Sequence, residues 1–167
     1  KEARALRAHR AKTGRCLVCD IVREELADGR RVIGENQHFL AVVPFFARYA
    51  YEVHILPKAH ISSLGGLTEQ EEFSLAQMLK LVMVKYDSLF NISLPYIMSI
   101  HQAPTGGEYA GEGHLRIEFY PPHRSANRLK YLAGVESATG TFINDASPED
   151  KAEELRAVGP KTGDDLS

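Results

Sequence analysis

The chain has 167 residues, with 20 Lys and Arg against 22 Asp and Glu, a formal net charge of -2, 44% apolar and 25% charged residues. That length suits one domain able to bury a real core, in the mixture of an ordinary water-facing globule. The near balance of charge argues against a nucleic-acid-coating role, and no apolar run approaches the roughly 18 residues needed to span a bilayer. No signal peptide is visible, so the two cysteines, spaced C-x-x-C, suggest metal or redox chemistry in a cytoplasmic protein rather than a disulfide framework. The sequence opens on Lys1 instead of methionine, which sets the expectation of a start further upstream or of trimming.

Residues 1–12 are basic and rich in helix formers, with Thr13-Gly14 as a stop, and predict a leading helix; the alternative is a solvated, frayed terminus. Residues 16–27 predict a tight turn running into a short helix that Asp28-Gly29 breaks. Strand-like runs follow at 31–33, 38–43 and 51–56, interrupted by Gly34-Glu35-Asn36 and Pro44, and together predict an antiparallel meander. Thr68-Glu69-Gln70-Glu71 has capping-box spacing. Beyond it, Leu75, Met78, Leu79, Val82, Tyr86 and Leu89 recur on one helical stripe that faces the core. Two more strands, 96–101 and 114–120, flank a Gly-rich loop, residues 105–113, that reads as a flexible turn. Ser147-Pro148 starts a last helix, with a serine N-cap and Pro at N1, and Gly159-Pro160 ends it. Residues 161–167 are expected to form a flexible tail.

Cys16, Cys19, His60 and His114 have the ligand types and spread of a tetrahedral zinc site. Thiolate and neutral imidazole suit Zn²⁺, a C-x-x-C turn supplies two ligands at once, and four protein ligands leave no open position, so such a site is structural. Buried thiols and two unrelated histidines are the alternative. On the strand from Gly113 to Phe119, His114, Arg116 and Glu118 project from one face while Leu115, Ile117 and Phe119 enter the other. Further on, Lys130, Gly134 and Glu136 lie in one short stretch after the proline corner Pro121-Pro122. A cation for a phosphate, an approachable backbone and a carboxylate for sugar hydroxyls could converge there; a solvated surface loop is the alternative.

The polar face of the His114 strand resembles a worn-down triad of the histidine triad (HIT) superfamily, with Arg116 standing at the nucleophile position. Cys16-Leu17-Val18-Cys19-Asp20-Ile21-Val22 resembles that superfamily's N-terminal zinc turn, and the run from Glu52 to His60 resembles the strand that ends in a third ligand. Residues 95–104, Phe119-Tyr120-Pro121-Pro122 and 124–136 are similar, in order and spacing, to the C-terminal half of the galactose-1-phosphate uridylyltransferase family. The likeness spans about residues 14 to 158, and Lys130 to Glu136 is its most specific part.

The resemblance implies an α+β fold, a HIT-like antiparallel sheet packed by a long helix. It divides the chain into a leading helix or inter-half connector (1–13), the HIT-like domain (14–160) and the tail (161–167). It strengthens zinc on Cys16, Cys19, His60 and His114, and implies that Lys130, Ala133, Gly134, Val135 and Glu136 contact the hexose; Val135 departs from a tyrosine found in many members. It implies no catalytic residue in this chain, because the His-Pro-His nucleophile motif belongs to the first half. There a histidine attacks the α-phosphorus of UDP-glucose, releasing glucose 1-phosphate, and the uridylyl-imidazole so formed passes its uridylyl group to galactose 1-phosphate, two easier steps in place of one hard one. The implied partners are UDP-glucose, galactose 1-phosphate, an N-terminal half in the same or a separate chain, and further copies in a homo-oligomer, with neither nucleic acid nor membrane. Some members hold a second metal through a histidine matching His101 and histidines on the strand of Arg116 and Glu118. A guanidinium has no lone pair to offer, so that site is expected to be absent, with Arg116 paired to Glu118 or a phosphate and His101 a hydrogen-bonded structural residue. A non-catalytic module for a nucleotide or sugar phosphate is the rival reading, and a HIT-type hydrolase without its nucleophile a distant third.

Overall fold

The computed structural model describes residues 2–109 and 112–160; the tail expected at 161–167 lies outside them. Helices α1 (Glu2–Thr13) and α2 (Leu17–Asp28) come first, each closed by a left-handed glycine, Gly14 and Gly29. Three strands follow, β1 (Val32–Glu35), β2 (Phe39–Val42) and β3 (Val53–Pro57), then a 3₁₀ turn (Leu64–Gly66), the long helix α3 (Glu69–Phe90), and strands β4 (Ile97–His101) and β5 (Arg116–Tyr120). A small hairpin, β6 (His123–Ser125) and β7 (Arg128–Leu129), and helices α4 (Gly134–Thr139) and α5 (Pro148–Ala157) complete the described chain. The five long strands form one antiparallel sheet in the order β1-β2-β3-β5-β4.

Alternation along the strands divides the core in two. Phe39, Ala41, Val53, Ile55, Ile117 and Phe119 point to one face, where Leu75, Met78, Leu81, Val82 and Tyr86 of α3 and Ala152 and Leu155 of α5 meet them. Leu40, Val42 and Leu56 point to the other, under Leu6 of α1 and Val18 and Val22 of α2. Those two helices cover only the β2–β3 side. The rest of that face, over β3, β5 and β4, is left as a cleft.

The predicted meander and capping box are present: the Thr68 hydroxyl accepts from Glu71 N, and the Glu71 carboxylate accepts from Thr68 N at 2.8 Å. Three details differ from expectation. Gly34 and Glu35 stay inside β1, because the glycine absorbs a register shift between Val32 and Gly34, and the break falls at Asn36, whose side chain caps His38 N and Phe39 N. The ladder of β5 begins at Arg116 and not at His114, since its neighbour β4 ends at the partnering His101. The α3 stripe includes Leu81 and a fully buried Lys85, whose ammonium donates to the carbonyls of Leu155 and Val158, both at 3.0 Å, at the end of α5. The Gly-rich loop has one close-packed point: a Cβ on Gly113 would stand 2.7 Å from the Ala103 Cα, so only glycine fits there.

Candidate metal centre and sheet-face cleft

Cys16 is the N-cap of α2 and Cys19 lies one turn in, so both sulfurs leave the same end of one helix. His60 follows β3, and His114 precedes β5, with Leu115 N tied to Ile61 O at 2.7 Å. The four side chains, separated by up to 98 positions, converge: Cys16 Sγ lies 3.6 Å from His114 Nδ1, and Cys19 Sγ lies 3.5 Å from both His60 Nδ1 and His114 Nδ1. All four ligand atoms fall within 4.8 Å of one another, a group able to hold a metal ion.

The surroundings prepare these donors. His114 Nε2 faces the Pro57 carbonyl at 3.4 Å, an arrangement in which Nε2 carries the proton and Nδ1 turns its lone pair to the sulfurs. Burial, then the neighbouring His60, pushes the His114 pKa down to about 4, so the imidazole is neutral at ordinary pH. Burial raises the Cys19 thiol to about 11, with Cys16 and Asp20 adding to it. A cation in the centre would oppose that trend and favour the thiolate. Behind the turn, Asp20 accepts from His9 at 2.8 Å, Arg15 at 3.0 Å and Arg23 at 2.7 Å, fastening α1 to α2.

The cleft beside α1 and α2 measures about 460 Å³. Leu6, Leu17, Ile21, Val42, Phe46 and Leu56 make its apolar wall, and Arg48, His54, His101, Arg116, Glu118 and Tyr120 its polar floor. Glu118 is the hub. Arg116 Nε donates to it at 2.5 Å, Tyr120 donates its hydroxyl, and Arg48, whose Nη2 donates to Tyr120 at 2.5 Å, stands 3.6 Å away. Burial pulls the Glu118 carboxyl upward, but His54, Arg116 and His101 outweigh it and hold the pKa below its ordinary value. Arg116 thus takes the first of its two expected partners. His101 Nε2 sits 3.2 Å from Glu118 Oε2, an ion-pair contact, with no hydrogen-bond partner for that atom among the described residues. An edge strand holds it from one side only. His54, to which the sequence assigns no role, pairs with the fully buried Glu52 at 2.9 Å. Its only advance signal was the alternation of a polar residue into a buried strand.

Lys130 and Glu136 come together, Nζ to Oε1 at 2.7 Å, with side chains only 9% and 2% exposed. The solvated-loop reading therefore fails. Lys130 also donates to the carbonyls of Arg48 and Ile143, and Glu136 accepts from Ala133 N at 2.7 Å and Ile143 N at 3.1 Å. Lys130 first, then those two amides, lowers the Glu136 pKa to about 2. Gly134 and Val135 open α4 on the outer surface, and Tyr131 beside them is 84% exposed.

This architecture defines a fold class. A zinc-bound histidine triad family protein from Mycobacterium smegmatis superposes over 85% of this chain with a TM-score of 0.55 at 17% identity, which establishes a HIT-like fold. A solved uridylyltransferase matches more closely, with a TM-score of 0.83 and 37% identity over 93% of this chain and 49% of that one. An ADP-glucose phosphorylase from Arabidopsis thaliana with bound ADP-glucose gives 0.76 and 31% over 94% and 47%. Residues 2–164 match the family model of the galactose-1-phosphate uridyl transferase C-terminal domain. The galactose-1-phosphate uridylyltransferase of Thermotoga maritima is 41% identical over 153 residues, 91% of this chain and 48% of that protein. The chain belongs to the C-terminal domain family of the galactose-1-phosphate uridylyltransferases, and it spans about half the length of the curated relatives it matches.

Proposed function

We propose that this chain is the scaffolding and sugar-recognising half of a UDP-glucose:hexose-1-phosphate uridylyltransferase, with the nucleophilic histidine in an N-terminal half of the same or a separate polypeptide. One observation carries the proposal: on β5, where an attacking imidazole would stand, Arg116 and Glu118 hold one another at 2.5 Å. A guanidinium orients and neutralises phosphate but forms no uridylyl intermediate. That the chain spans only about half of the uridylyltransferase relatives and of the ADP-glucose phosphorylase supports a division of labour between halves.

The metal on Cys16, Cys19, His60 and His114 is proposed to be zinc. With Zn–S near 2.3 Å and Zn–N near 2.05 Å, a tetrahedron has S···N edges of about 3.6 Å. The observed 3.5 to 3.6 Å fit. Closed on four sides, the ion would contribute stability and join α2 to the ends of β3 and β5, with no open position for chemistry. Hexose contact is assigned to residues 130–136: the Lys130–Glu136 pair sets the loop, and the backbone of Ala133 and Gly134 with Val135 offers the accessible surface. The relatives' names support galactose 1-phosphate and uridylyl transfer, and UDP-glucose is proposed as the uridylyl donor. The first half is proposed to dock on β4, the sheet's outer strand, where Ile97, Met98 and Ile100 are exposed.

The test is reconstitution. The chain alone, incubated with UDP-glucose, is expected to show no uridylyl adduct by mass spectrometry, and addition of the matching N-terminal half is expected to restore turnover in a coupled assay. An adduct on His54, His101 or His114 would overturn the division of labour. Binding of sugar phosphates without restored turnover would favour a non-catalytic module instead.

A further inference from the structure

Lys130, at the head of the 130–136 loop, has no donor to spare. An ammonium carries three N–H groups, and these meet Glu136 Oε1 at 2.7 Å, the Ile143 carbonyl at 2.6 Å and the Arg48 carbonyl. Glu136 and Ile143 belong to the same stretch of chain as the loop, whereas Arg48 lies in the turn between β2 and β3. The Arg48 carbonyl is half of the peptide group that joins Arg48 to Tyr49. A trans peptide group presents its C=O and its N–H on opposite edges, and here the Tyr49 N–H donates to Glu52 Oε2 at 3.3 Å. The same oxygen accepts from Arg48 N at 2.7 Å, while Oε1 faces His54 Nε2 at 2.9 Å and Arg48 Nη2 at 3.5 Å. Glu52 is fully buried one residue before β3, and these partners offset the cost of a carboxylate without water. One peptide plane is therefore gripped on both edges, by Glu52 and by Lys130, and a rotation of that plane breaks both contacts. The Tyr49 ring, 5.2 Å from Lys130 Nζ, adds a second hold on the ammonium.

From this two-sided grip we infer that Glu52 is a positioning residue for hexose recognition: it fixes the Arg48–Tyr49 peptide group, which fixes Lys130, which fixes the loop through Glu136. The inference rests on the proposed contact of residues 130–136 with the hexose; Glu52, being fully buried, touches no substrate itself.

Amide hydrogen exchange of the chain alone tests the linkage apart from the reaction. Because coupling between two contacts is reciprocal, Lys130→Met is expected to speed exchange at Arg48 N and Tyr49 N by about fivefold or more. Unchanged exchange there, in a variant whose thermal melt shows it folded, would overturn the inference. In the reconstituted pair, Glu52→Ala is expected to raise the KM for galactose 1-phosphate about tenfold with little change in kcat, and to add nothing in a Lys130→Met background, where an independent site would still multiply its effect. Glu52→Gln keeps an oxygen for the two amides and is expected to return KM to within about twofold of the unaltered pair. An unaltered KM in folded Glu52→Ala, or an effect undiminished beside Lys130→Met, would also overturn the inference, and the exchange measurement decides should Glu52→Ala not fold. An unaltered pair without turnover, alongside faster exchange in Lys130→Met, would instead sink the uridylyltransferase reading and the hexose role with it, leaving the hold of Glu52 on the loop in place.

Discussion

Single residues here do work that their types only partly announce. Cys16 meets possible co-ligands at positions 60 and 114, and Cys16→Ser is expected to abolish binding of the proposed metal and lower the melting temperature by roughly 5 to 10 °C, the scale of a few kcal/mol in a domain of this size. Elemental analysis with a thermal melt measures both; a variant retaining full metal and its melting point would count against the clasp. Glu136 makes a prediction about acid. Its folded pKa, near 2, lies below its ordinary 4.5, so its contribution to stability is fully present above about 4.5 and is lost as pH falls from there toward 2. The gap in melting temperature between the wild type and Glu136→Gln should accordingly be widest near neutral pH and shrink through that window. A gap independent of pH would show that the Lys130 ion pair does not matter to the fold.

At the scale of elements, the junction of α3 and α5 rests on an unusual cap. Lys85 sits on the apolar stripe of α3 without exposed surface and bonds the last carbonyls of α5, while Gly159, at a φ of 66°, turns the chain past its stem. A cation at a helix C-terminus complements the carbonyls that have no partner within the helix. Burial, with Arg156 adding to it, lowers the Lys85 pKa from its ordinary value without removing its role as donor. Lys85→Met would keep the packed stem and strand two carbonyls, so a loss of about 1 to 3 kcal/mol is expected, or a fall in melting temperature of roughly 3 to 10 °C. A chemical denaturation curve would read this directly, and an unchanged midpoint would mean that water replaces the ammonium at no cost.

The whole molecule presents an unfinished sheet. Among the described residues strand β4 has a neighbour on one side only, and Ile97 is 64% exposed. Long apolar edges invite pairing, and proteins that leave them free blunt them with charge or proline; no charged residue or proline lies between Ile97 and Ile100. Ile97→Lys is expected to leave the fold and the metal intact while preventing association with the first half, as seen by gel filtration of the mixed proteins. A lysine variant that still co-elutes with the first half would place the docking surface elsewhere. No described helix is long and apolar enough to cross a membrane.

Local chemistry was legible in the sequence by itself, because it depends on neighbours in the chain. Thr68 and Glu71 cap α3 from three residues apart, Gly29 stops α2, and the alternation of Leu115, Ile117 and Phe119 announced a buried strand face. The C-x-x-C turn and the 130–136 segment were likewise visible as short patterns. What only the tertiary structure decided were relations between distant positions that carry no local periodicity. Strand β5 inserts between β3 and β4, and this brings His114 to Cys16 and sets His54 opposite Glu118. The short elements β6, β7 and α4 have too few residues to show a period, and their placement turns Lys130 and Glu136 from two surface charges into one buried pair. Lys85 reads as an interruption of an apolar stripe until α5 supplies the carbonyls that make a buried ammonium tolerable. A charge declares itself in the sequence, but its partner is chosen by folding, since burial penalises the charge and the pairing that offsets that penalty exists only in three dimensions.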